Sequence, residues 1–182
     1  MNRSTIVTNA IAAAVLAALC FSSANAATLN VDCDAGNTIA SVYATIKPGD
    51  TVLVSGLCKE QVNIPPEVTR VIFDGQKKTT IQHSGGQQAS PHAFYNRGKE
   101  ITIKNFTVTG GQDGIHLSGP ASAVIDGNLV TKNSGRGIHI DKGSIARILN
   151  TTVEQSGGIG IDVTGASYAY IGVFIPRVPA LA

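Results

Sequence analysis

The chain has 182 residues, 43% of them hydrophobic and 14% charged, with three Cys, no Trp and 20 Gly. Fourteen Lys and Arg against twelve Asp and Glu leave it close to neutral. With no basic run, neither nucleic acid nor an acidic membrane surface is an expected partner.

Residues 1–26 read as a signal peptide. Arg3 gives a positive start, and the uncharged apolar run from Ile11 to Phe21 is short for a membrane span. Ala24-Asn25-Ala26 then supplies the small residues of a cleavage site, so cleavage is expected near Ala26. An N-terminal membrane anchor is the alternative. A lipid on Cys20 is rejected because Leu19 is too bulky for a lipobox. The expected location is secreted or periplasmic, with no membrane attachment after cleavage. Without Arg3 the remaining chain carries thirteen basic and twelve acidic residues. It is long enough for one domain with a real core, assigned to residues 27–172.

Cys33 and Cys58 are the two cysteines beyond the signal segment. In an oxidising compartment they read as a disulfide, worth roughly 3 kcal/mol by loop closure; two buried free thiols are the alternative. Between them Ile39, Val42 and Ile46 stand at helical spacing, with Asn37 or Thr38 as N-cap and Pro48-Gly49 as the stop. A short amphipathic helix there would cover the open end of a solenoid, so residues 27–58 form an N-terminal cap and first strand. Thr51–Ser55, Gln61–Ile64, Val71–Gly75 and Thr79–Gln82 read as short strands. His83 to Arg97, with Gly85-Gly86 and Pro91, breaks the pattern and reads as a long surface loop.

From Ile101 to Gly172 the sequence repeats every 23 residues. Gly114-Ile115-His116-Leu117 returns as Gly137-Ile138-His139-Ile140 and as Gly160-Ile161-Asp162-Val163. Ile125, Ile148 and Ile171 share a second column, Thr107, Val130 and Val153 a third, and Gly111, Ser134 and Gly157 a fourth. Each block alternates apolar and polar residues, which is strand periodicity, and a period of this length means a solenoid. Residues 101–172 are therefore regular coils of an all-β parallel β-helix, a single-stranded solenoid whose Ile and Val columns form a continuous core.

Ile125-x-x-Asn128-x-Val130 followed by Gly137-Ile138-x-Ile140 resembles the right-handed parallel β-helix (PbH1) repeat of secreted pectate-lyase-like proteins. That superfamily includes carbohydrate-binding proteins and sugar hydrolases, so the resemblance implies a right-handed coil and an extracellular polysaccharide as partner. It also implies that the polysaccharide groove lies along an outward parallel sheet.

Three columns bear on chemistry. Asn128, with Asn105 before it and Thr151 after, reads as an inward structural ladder. His116, His139 and Asp162 alternate with core residues and therefore point outward. Asp113 and Arg136 precede the same strand. Together these five form a candidate substrate-binding strip, and Asp113, His116, Arg136 and His139 are the candidates for acid–base catalysis. The alternative is a solvated ladder with Asp113–Arg136 and His139–Asp162 ion pairs. No cofactor and no metal is expected, calcium at the carboxylates being the one conceivable exception.

Pectate lyases of this fold cluster several Asp for calcium beside a catalytic Arg, and pectin hydrolases pair Asp residues with Gly-His-Gly and Arg-Ile-Lys segments. None of these is intact here. The expected function is contact with extracellular polysaccharide, as a binding module or a degenerate enzyme. A lyase or hydrolase acting on uronate-rich glycans, and a structural or adhesive solenoid, are the alternatives. Residues 173–182 leave the repeat, so the β-helix is expected to be a shortened version of a longer one, the alternative being that this apolar tail folds back as a lid.

Overall fold

The computed structural model describes residues 26–83 and 92–172. Fourteen strands follow one another along this stretch. The first seven are β1 (Thr28–Asp32), β2 (Thr51–Cys58), β3 (Val62–Ile64), β4 (Ile72–His83), β5 (His92–Asn96), β6 (Ile101–Gly110) and β7 (Asp113–Leu117). Then come β8 (Ser122–Asp126), β9 (Leu129–Thr131), β10 (Ile138–Ile140), β11 (Ile145–Leu149), β12 (Thr152–Glu154), β13 (Ile161–Val163) and β14 (Tyr168–Gly172).

Every pairing between these strands is parallel, and each joins one coil to the next, as a β-solenoid requires. One path runs β1-β2-β4-β6-β8-β11-β14, and a second sheet runs β3-β5-β7-β10-β13. The long strand β6 turns a corner: its first half pairs with β8 and its second half with β9, which in turn pairs with β12. Each regular coil therefore has three faces.

The core is the set of inward columns. Ile115 lies over Ile138 and Ile161, and Ile125 over Ile148 and Ile171, at the expected step of twenty-three. Ile115, Ile125 and Ile138 are fully buried. The glycine that opens the first two motifs is required by close approach, whereas Gly160 on the outermost rung has room for a Cβ. A Cβ on Gly114 would lie 2.5 Å from Val130 Cγ1, and Gly137 faces Val153 in the same way. Ile145, Tyr168, Tyr170 and Ile171 are exposed around the last coil.

Three expectations need correction. First, the N-terminal cap is one 3₁₀ turn, Ile39–Val42, in place of an amphipathic helix. Thr38 occupies the N-cap in extended conformation without a side-chain cap, and the Ile39 N–H donates instead to Glu60 Oε1 at 2.9 Å. Ile39 is fully buried, with Val42 and Ile46 packed against the core as their spacing requires. Second, the step between the coils holding β6 and β8 is twenty-two, because Ile103 pairs with Ile125. Val108, not Thr107, therefore lies over Val130, and Phe106, not Asn105, neighbours Asn128. Asn128 itself is buried, accepting from the Phe106 N–H at 3.0 Å and donating to the Ile103 carbonyl at 2.9 Å. Asn105 sits one place earlier with Gly127 and Asn150, all at positive φ, where glycine and asparagine turn the corner most cheaply. Third, the segment read as a loop from His83 to Arg97 is partly strand. β5 pairs with both β3 and β7.

The Cys33–Cys58 disulfide is formed, with Cα atoms 5.0 Å apart. The signal segment and the non-repeat tail lie outside the described residues. Among the described residues no helix is long and apolar enough to cross a membrane.

Candidate functional site

Strand alternation fixes which side chains leave the core on the second sheet. Phe94, Ile115 and Ile138 stack inward, fully buried, so the residue after each points the other way. This produces one outer file, Asn63–Tyr95–His116–His139–Asp162, in backbone register across all five strands. On one side His92 pairs in register with Asp113, and Arg136 follows at the step of twenty-three. On the other side Ser118, Asp141 and Thr164 stand at the same step.

The file is closely packed. The rings of His116 and His139 stack at 4.3 Å with 18° between their planes, and His92 meets His116 edge-on at 4.3 Å. Tyr95 stacks on His92 at 5.1 Å and carries the Arg97 guanidinium 5.6 Å from its ring centre. His116 Nδ1 lies 3.0 Å from His92 Nε2.

Asp113 is the hub beneath these rings. It is 1% exposed, and its Oδ2 stands 3.1 Å from His92 Nδ1, 3.4 Å from His139 Nδ1 and 3.9 Å from His116 Nδ1. Its Oδ1 lies 3.5 Å from Arg136 Nη1. Arg136 in turn reaches Asp162 with Nε at 2.8 Å. His139 Nε2 is 3.4 Å from Thr164 Oγ1 and 3.7 Å from Asp162 Oδ2. At the far side His116 Nε2 lies 3.1 Å from Asp141 Oδ1.

This geometry sets the charges. Burial, with the neighbouring His92 next in effect, pushes the His116 imidazole down to about 4, so it is neutral at physiological pH. Burial alone would raise the Asp113 carboxyl, but the contact with His92 and the charge of Arg136 outweigh it and hold it below the usual range. Asp141 is likewise held low: contacts with Ser118 and His116 overcome its partial burial. The cluster therefore combines three carboxylates, one guanidinium and a neutral imidazole at its centre.

All five predicted strip residues, Asp113, His116, Arg136, His139 and Asp162, thus come together, and both predicted ion pairs are present. The solvation that the alternative of an open ladder required is absent. His116 and His139 are each 7% exposed because the rings cover one another and Arg136 and Asp141 flank them. Sequence reasoning missed His92, Tyr95 and Asp141. Asp141 was legible as the polar residue that follows each motif, in column with Ser118 and Thr164. His92 and Tyr95 were hidden because the step from Phe94 to Ile115 is twenty-one, outside the regular repeat.

Two sets of three side chains bring ligand-capable atoms within 4.8 Å of one another: His92, Asp113 and His116, and His116, His139 and Asp141. In the comparison with known proteins, a family model described as a right-handed beta helix region matches residues 70–172. No curated protein and no solved structure is matched.

Proposed function

The chain belongs to the right-handed β-helix family, and from that premise we propose that it is an exported, pectate-lyase-like protein that binds an extracellular polysaccharide on the outer face of its second sheet. The observation that carries this reading is the file Asn63–Tyr95–His116–His139–Asp162, one polar or aromatic side chain per rung. Rungs repeat about every 4.8 Å, so a linear polymer laid along the axis follows the file. It meets the partly exposed Asn63, Tyr95 and Asp162 and the flanking Arg136 and Asp141, while the covered His116 and His139 form the floor. Half-buried Tyr95, stacked on His92 and with Arg97 over its ring, adds polar groups at the edge of the file to which sugar hydroxyls can bond. The disulfide and the signal-like residues 1–26 fit export into an oxidising compartment.

Electrostatics narrow the ligand. Arg136 is engaged by Asp162 and Asp113, and the carboxylates outnumber it. A neutral glycan therefore suits this face better than a polyuronate. The same charges favour binding over glycoside cleavage, because general-acid carboxyls are raised in pKa whereas Asp113 and Asp141 are lowered.

A glycan array probed with the purified chain tests this. The expected result is binding to neutral polysaccharides that is lost in Tyr95→Ala at unchanged thermal midpoint. Absence of binding to every glycan would leave a structural or adhesive solenoid. Growth of absorbance from an unsaturated product on polyuronates would replace the binding module with a lyase.

A further inference from the structure

We propose that His116, His139 and Asp141 form a binding site for a divalent transition-metal ion of the Zn²⁺ class, with a fourth position open to water or a ligand. The site does not depend on the glycan reading.

The first support is a pair of buried atoms in close ion-pair contact whose alignment is too poor for a hydrogen bond. His116 Nε2 and Asp141 Oδ1 are 3.1 Å apart, yet neither has a hydrogen-bond partner. The two atoms are themselves buried, whereas the rest of the Asp141 side chain is 17% exposed and gives the site its access to solvent. Leaving such atoms unsatisfied costs free energy, and a cation between two lone pairs removes that cost.

The second support is the arrangement behind the ligands. Histidines that bind metals direct their other ring nitrogen to a carboxylate or equivalent acceptor. Here both imidazoles turn Nδ1 toward Asp113, His139 at 3.4 Å and His116 at 3.9 Å. His116 Nδ1 also meets His92 Nε2 at 3.0 Å, and His92 Nδ1 reaches Asp113 at 3.1 Å. The Nε2 atoms are thereby left on the side of Asp141 and Thr164.

Spacing and donor type select the ion. Metal–ligand bonds of about 2.0–2.2 Å in a tetrahedron place ligand atoms roughly 3.3–3.5 Å apart. The three atoms here already lie within 4.8 Å of one another, and one pair at 3.1 Å. Two imidazoles and one carboxylate suit Zn²⁺, Co²⁺ or Ni²⁺, whereas Ca²⁺ and Mg²⁺ need an oxygen shell. A dication also offsets the excess of Asp113, Asp141 and Asp162 over Arg136. Three protein ligands with one open position are the composition of catalytic zinc sites.

The test uses the full exported chain, stripped with chelator and titrated with Co²⁺, Zn²⁺ and Ca²⁺. Expected are a visible Co²⁺ band of four-coordinate intensity, its displacement by one Zn²⁺ per chain in calorimetry, and no response to Ca²⁺. Asp141→Asn and His139→Gln, checked for intact folding by circular dichroism, should lose the band. His92→Ala, one step behind the metal, should weaken Zn²⁺ binding about 10–100-fold without abolishing it. No Co²⁺ band, an unchanged affinity in Asp141→Asn, or a preference for Ca²⁺ would each overturn the site. Complete loss in His92→Ala with Asp141→Asn unaffected would overturn its location.

Discussion

Ile138→Ala probes the stacked core at a fully buried rung with a neighbour on each side. Ile138 is fully buried and held between Ile115 and Ile161 by parallel ladders on both sides. Truncating a buried Ile to Ala costs about 2–5 kcal/mol, the larger values applying where neighbours cannot collapse into the space. Two backbone ladders fix the rungs about 4.8 Å apart, so the space stays open and about 3–4 kcal/mol is expected here. For a chain of this length that lowers the thermal midpoint by roughly 6–16 °C. The same truncation at Ile171, which is 57% exposed, should cost less than about 0.5 kcal/mol. Ile161, half-buried on the outermost rung of its sheet, should fall between them. Urea titration of the three variants reads this gradient, with an unchanged m-value showing that the unfolding unit is the same. Equal costs at the three positions, or a larger cost at Ile171 than at Ile138, would refute the inward files.

Three further outcomes follow from named contacts. Lowering the pH from about 6.5 to about 4 should destabilise the fold, because an unfolded His116 takes a proton near 6.5 and the folded one resists until about 4. Below that range Asp113, Asp141 and Asp74, all lowered in the folded state, should remove more stability as they are protonated; thermal midpoints across this pH range read both phases. Cys33→Ser paired with Cys58→Ser should cost roughly 3 kcal/mol in urea, and an unchanged midpoint would mean the bridge constrains little. Asn128→Ala orphans the Phe106 N–H and the Ile103 carbonyl, and at roughly 1–3 kcal/mol for each buried group it should rank with the core truncations in the same assay.

What could be read from the sequence depended on where the repeat is regular. From Ile115 to Ile171 every coil has the same length, so columns counted by eye coincide with backbone register. The register of β6 against β8 is one residue shorter, and a single missing residue was enough to exchange Thr107 for Val108 and Asn105 for Phe106. Earlier coils vary more: Ile72 pairs with Thr102, a step of thirty, and this concealed β5 with His92 and Tyr95. Burial of the strip was not legible for a different reason. Alternation tells which side chains leave the core, but not that Tyr95, His92, His116 and His139 lean together closely enough to exclude water from one another. Asp113, buried beneath three imidazoles, shows the same effect from below.

The account turns on an outer file of histidines that is stacked and desolvated instead of solvated. Imidazole titration of the chelator-treated protein by ¹H–¹⁵N NMR measures this directly. His116 should remain neutral down to about pH 4, with its Nδ1 proton shared toward His92. A His116 that titrates near the ordinary value of about 6.5, independently of His92→Ala, would contradict it.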